Sequence, residues 1–131
     1  MGKRKIAKTL LVGLGGTGNL ALKFAKKRFY EMYGNDKPFS EFELPLIEYL
    51  ALDTSIDDLK QGVGSNNKFG LKQSEYHHLK VSKPRQVLKG APFITKEWMP
   101  KKNLRALSAI EAGAGQIRAF GRLGLMNNYQ K

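Results

Sequence analysis

Hydrophobic and polar positions along this chain change period wherever a glycine or proline falls. Ile6 and the run Leu10-Leu11-Val12 are apolar without alternation, which predicts a buried strand over residues 7–12 that glycine ends. From Thr17 to Tyr33 the period becomes helical. Leu20, Ala21, Phe24, Ala25 and Phe29 fall near one face of that amphipathic helix, and Lys23, Lys26 and Lys27 on the other. Gly34-Asn35 closes it as a C-terminal cap would. Residues 35–45 are polar with two prolines and predict a loop.

Leu46 to Leu52 is apolar enough for a second, largely buried strand, ending at Asp53-Thr54. A short helix is expected next, because Thr54 or Ser55 can cap it and Asp57 and Asp58 suit a first turn. Residues 62–72 are rich in glycine and asparagine and predict a mobile loop. Tyr76 to Val81 predicts a third strand, and Lys83-Pro84 and Ala91-Pro92 punctuate a stretch without a clear period. Trp98 to Ile110 reads as a helix, Gly113-Ala114-Gly115 interrupts it, and Gln116 to Asn127 resumes as a helix. No internal repeat or low-complexity tract is visible.

Strand, glycine turn, helix and strand in this order point to an α/β fold with a parallel, Rossmann-like sheet. Ligands of such sheets sit beyond the carboxyl ends of the strands. The glycine turn, Asp53-Thr54 and the turn at Gly113 to Gln116 are therefore expected to meet at one edge.

Composition narrows the function classes. The 131 residues make one domain at most, with 41% apolar residues, as in globular chains. No apolar run approaches the roughly 20 residues of a membrane span. The basic start, Met1 to Lys5, precedes only a strand-length apolar run, so it is not read as a secretory signal. There are no cysteines, which excludes disulfides and thiolate metal sites and fits a cytoplasmic protein. The net charge of +12 is unevenly spread. Residues 1–30 carry eight Lys or Arg and no acid, whereas residues 31–58 carry eight acids and one Lys. Such a field attracts polyanions, whether nucleotides, nucleic acid or anionic lipid.

Gly13-Leu14-Gly15-Gly16-Thr17-Gly18 fits the dinucleotide fingerprint G-x-G-x-x-G, and it stands between a strand and a helix as that motif requires. Glycines here let the main chain approach a phosphate, and Thr17 adds a hydroxyl donor. No Gly-Lys-Ser/Thr follows, so this is not a Walker-type loop. A dinucleotide site also wants an acid about 20 residues on. Asp53 ends the second strand but lies 35 positions beyond Gly18, an excess the 35–45 insertion can absorb. Asp53 can equally be a simple cap of the next turn. His77-His78 lacks a second ligand pair at metal spacing, and no nucleophile, base and orienter set is visible. At this point two classes stay open: a Rossmann-type NAD(P)-binding domain of an oxidoreductase, and a basic non-enzymatic module for nucleic acid or an acidic partner.

Three segments taken together resemble the tubulin/FtsZ family of GTPases, in particular its prokaryotic tubulin-like branch. They are Val12-Gly13-Leu14-Gly15-Gly16-Thr17-Gly18-Asn19, then Ala51-Leu52-Asp53-Thr54, then Gly113-Ala114-Gly115-Gln116-Ile117-Arg118-Ala119-Phe120-Gly121-Arg122. They follow the family's order and correspond to its first three nucleotide-facing loops. The resemblance implies a site for GTP or GDP, with Mg2+ as a candidate companion. Gly15, Gly16, Thr17 and Gly18 would lie against the phosphates, after Gly13, and Asn19 would contact the base. Asp53 and Thr54 would lie near the phosphates and the magnesium ion, and Gly113, Ala114 and Gly115 near the terminal phosphate, with Gln116 also binding the nucleotide. FtsZ-type proteins carry asparagine where Asp53 stands and an acid where Ser55 stands. The family's further phosphate loop and its acidic catalytic loop do not occur within residues 1–131. The resemblance thus implies an amino-terminal, incomplete portion of a tubulin-like GTP-binding domain, unable to hydrolyse GTP alone and joining filaments through a longer chain.

Overall fold

Strand β1 (Thr9–Leu14) runs parallel to β2 (Ile47–Asp53), with Thr9 opposite Ile47 and Leu14 opposite Leu52. The computed structural model describes residues 7–34, 36–90, 99 and 118–128. A third strand, β3 (Tyr76–His78), completes the sheet order β1-β2-β3. Parallel neighbours need a crossover, and helix α1 (Gly15–Tyr33) supplies it between β1 and β2. The α/β class with a parallel pair and a helical crossover is the expected Rossmann-like architecture. No helix among the described residues is long and apolar enough to cross a membrane.

The described residues fall into two compact units: residues 1–52 with 58–77, and residues 53–57 with 78–131. In the first, α1 packs on β1, and the buried apolar residues include Leu22, Phe42, Tyr49, Ala51, Leu59, Val63 and Phe69. Two expectations need correction. Strand β1 is not buried: it lies at the end of the strand order among the described residues, and Leu10, Val12 and Leu14 alternate outward. Only its other side, carrying Gly13, is covered by α1. The second correction concerns α1. Its buried residues are Asn19, Leu22, Lys23 and Lys26, while Leu20 and Phe24 are exposed. Long lysine stems bury well when their ammonium groups find partners. Lys23 donates to the Asp58 carbonyl and Lys26 pairs with Glu75. Those partners lie 35 and 49 positions away, beyond the reach of helical periodicity.

Loops in this unit are more ordered than their composition implies. The helix cap is made by the Gly34 amide donating to the Tyr30 carbonyl at 2.8 Å. A short 3-10 turn at Phe39–Glu41 follows, and Phe42 lies so close over Gly34 that a Cβ there would sit 2.2 Å from the ring. The expected mobile loop at 62–72 is closed by reciprocal hydrogen bonds between Val63 and Phe69, both buried, at 2.9 and 3.2 Å. Asn66 and Asn67 turn the chain between them with positive φ, which asparagine tolerates. A short helix, α2 (Ile56–Lys60), begins where the Asp-rich first turn predicts.

In the second unit, Val81, Met99, Phe120 and Leu123 form a core, with Val87, Leu88 and Ala119 packed against it. Helix α3 (Pro84–Gly90) occupies the stretch without a clear period, and proline fits its first position. Helix α4 (Arg118–Asn128) agrees with the helix expected from Gln116. Asn128 ties α4 back to the chain by donating from Nδ2 to the Lys80 carbonyl at 3.1 Å and to the Gly124 carbonyl at 2.8 Å. The helix expected at 98–110 lies outside the described residues, apart from Met99.

Candidate functional site

The glycine turn divides its glycines between two tasks. Gly15 has φ of +70°, a left-handed conformation that disfavours any side chain, and it sits where the strand becomes the helix. Gly13 and Gly18 let backbone pack on backbone. A Cβ on Gly13 would lie 2.7 Å from the Gly18 carbonyl oxygen, and one on Gly18 would lie 3.2 Å from the Gly13 carbonyl carbon. These two glycines therefore serve strand–helix packing, the simpler of the motif's readings. Gly16 is different. It is exposed, and a Cβ there would have only Asp58 Oδ2 within 4 Å, at 3.9 Å.

Gly15, Gly16 and Thr17 consequently open a 19-residue helix at the protein surface. The N-cap position, Leu14, is extended and makes no side-chain cap, and no acid stands in the first turn. A helix start exposes unsatisfied N–H groups and roughly half a positive charge. The helix thus supplies neither a side-chain cap at Leu14 nor an acid of its own at that end, an arrangement suited to an anion. Asn19, two residues further along the helix, is buried at 1% exposure. The Asp58 carboxylate beside Gly16 was not legible in the sequence, where it read only as a first-turn helix acid. An acid next to an anion site repels the anion unless a cation stands between them.

The second predicted segment, in the other unit, has a clear local structure. Asp53 Oδ1 accepts the Ser55 amide at 3.0 Å, the turn-capping role the sequence allows. Asp53, Thr54 and Ser55 are all buried. The Asp53 carbonyl accepts the Leu79 amide at 2.7 Å, and His78 Nε2 lies 3.0 Å from the Thr54 carbonyl. Since a carbonyl only accepts, Nε2 is the protonated nitrogen of that ring. His78 thus holds backbone, and among the described residues no group of three His, Cys, Asp or Glu could hold a metal ion. The third predicted segment, Gly113, Ala114, Gly115 and Gln116, lies outside the described residues.

A family model described as tubulin-like matches residues 10–131, from within β1 through the last residue. The chain belongs to the tubulin-like family. Comparison with curated proteins and with solved structures yields no match. The tubulin-like match includes all three segments on which the sequence resemblance rests, as well as the stretch between them where no motif stands out.

Proposed function

We propose that this chain is the guanine-nucleotide-binding portion of a tubulin-like GTPase that assembles into filaments, close to the prokaryotic branch of the family. The observation that carries the reading is the start of α1 at Gly15, Gly16 and Thr17, immediately after a parallel strand, with no side-chain cap at Leu14 and no acid in the helix's own first turn. The phosphates of GTP or GDP would take the N–H groups of that turn, with Thr17 adding its hydroxyl. Asn19 would contact the base, and Gly13 and Gly18 would keep the turn close against β1. Asp53 and Thr54 would serve the same nucleotide from the end of β2, and Gly113, Ala114, Gly115 and Gln116 from the third segment. Asp58 adds a feature to this scheme. Its carboxylate, facing Gly16, would tolerate a polyphosphate through a bound Mg2+, so binding of GTP should depend on magnesium.

Calorimetry on the folded chain tests the reading. GTP or GDP should bind with preference over ATP and NAD, and Gly16→Leu should abolish that binding while leaving the circular dichroism spectrum unchanged. Equal affinity for all four nucleotides, or retained affinity in Gly16→Leu, would remove the assignment.

A further inference from the structure

A cleft lies in the same unit as the glycine turn but towards the opposite end of α1. It has a volume of about 540 Å³, within the roughly 300–1,000 Å³ of small-molecule sites. Its floor is aromatic. Tyr30 and Phe39 meet edge-on with centroids 5.3 Å apart, and Phe39 and Phe69 at 5.1 Å. Its wall is cationic: Lys26, Lys68 and Lys72 line it, and no acidic side chain does. The Lys26 ammonium stands 5.2 Å from the Phe39 centroid and the Lys68 ammonium 5.1 Å from that of Phe69. Lys26 and Lys72 each have a carboxylate partner, Glu75 and Glu43. Neither carboxylate belongs to the lining of this cleft. Lys68 has no carboxylate partner among the described residues. Ser40 adds a hydroxyl to the lining.

We infer that this cleft binds a small organic anion in which a phosphate or carboxylate is joined to a flat apolar body. The rings would take the apolar body by edge or face contact, and the lysines the charge, as point charges without the paired geometry of arginine. Either part alone should bind poorly, because an isolated anion stays hydrated and a neutral ring forgoes the charge pairing with the lysines. The site is independent of the nucleotide reading. It shares no residue with the turn at Gly15 to Thr17.

The probes are 1-naphthyl phosphate and 1-naphthoate, compared by calorimetry with 1-naphthol and inorganic phosphate on the full chain. At least one of the two anionic naphthyl compounds should bind at least tenfold more tightly than both controls, and the two anions tell phosphate from carboxylate. Lys68→Glu, at an exposed position, should weaken that binding at least tenfold, and Lys68→Gln less. Nuclear Overhauser contacts in the unmodified chain should join the naphthyl protons to the Phe39 and Phe69 rings, so the assignment does not depend on a variant. Saturating GDP should leave the affinity unchanged, whether or not GDP itself binds. No binding of either anion, equal binding of 1-naphthol, equal binding of inorganic phosphate, unaltered affinity in Lys68→Glu, contacts elsewhere, or displacement by GDP would each overturn the inference.

Discussion

Lys26 Nζ lies 2.5 Å from Glu75 Oε2, with 2% of the lysine side chain and 16% of the glutamate side chain exposed. The same oxygen accepts the Lys72 amide at 2.8 Å, so one carboxylate joins α1 to the chain leading into β3. A pair this deep carries a large desolvation cost, and removing one partner leaves the other charge buried alone. Lys26→Ala or Glu75→Ala should therefore destabilise the unit by about 3–5 kcal/mol. The double variant Lys26→Met with Glu75→Leu should lie near the unmodified chain, because neither charge is then stranded. Urea unfolding of the four proteins measures this, and single variants within about 1 kcal/mol of the parent would place the pair in solvent instead.

Tyr49 offers a prediction in pH. Its hydroxyl is buried without a hydrogen-bond partner among the described residues. Burial, and then the charge of Glu75, pushes its pKa up to about 12. The unfolded phenol titrates near 10, so the folded state holds its proton over the interval between. The resulting stability is complete below about pH 10 and is lost as pH rises through about 12. Absorbance at 295 nm should show one of the five tyrosines ionising late. The urea midpoint should fall across that same interval.

Replacing the same residue tests the orphan hydroxyl. An unsatisfied buried hydroxyl costs about 1–3 kcal/mol. Tyr49→Phe keeps the ring under the Lys26 ammonium, 5.4 Å from its centroid, and removes only that hydroxyl. The variant should be more stable than the parent by about 1 kcal/mol and should lose the late ionisation. A less stable variant would mean the hydroxyl has a partner after all.

The glycines of the turn should separate folding from binding. Gly13→Ala drives a methyl into the Gly18 carbonyl, backbone against backbone, and should lose about 1–3 kcal/mol of stability. Gly16→Ala meets only Asp58 Oδ2, at an ordinary contact distance of 3.9 Å, and should keep the fold or improve it slightly, while impairing nucleotide binding. Thermal melts combined with nucleotide titration distinguish the two. Equal melting temperatures would show that the turn is not packed as described.

Two glycines in α4 should respond with opposite signs. A Cβ on Gly121 meets nothing within 4 Å, so Gly121→Ala should gain about 0.5–1 kcal/mol from helix propensity. One on Gly124 would stand 2.9 Å from the Leu79 carbonyl and 3.0 Å from Thr54 Cγ2. Gly124→Ala should lower stability despite the same gain in propensity. Chemical denaturation of both variants, read against the parent, decides the signs.

Local chemistry by itself determined the order of strand, glycine turn, helix and strand. An apolar run stopped by Gly13, a helical period opening within a few residues, and acids at Asp57 and Asp58 are all written in neighbouring positions. The family is legible for the same reason, since its motifs are short and contiguous. Tertiary structure alone decided which side of α1 faces inward. Periodicity placed Leu20 and Phe24 on the packing face, yet Lys23 and Lys26 are buried, because the Asp58 carbonyl and the Glu75 carboxylate reach them from 35 and 49 residues away. It likewise sorted the glycines of one motif, giving Gly13 and Gly18 to packing, Gly15 to a left-handed turn and Gly16 to the surface. A pattern of letters is identical for all four. What distinguishes them is the close approach of Gly13 to Gly18, the left-handed φ of Gly15 and the arrival of Asp58 near Gly16, and these exist only once the chain has folded.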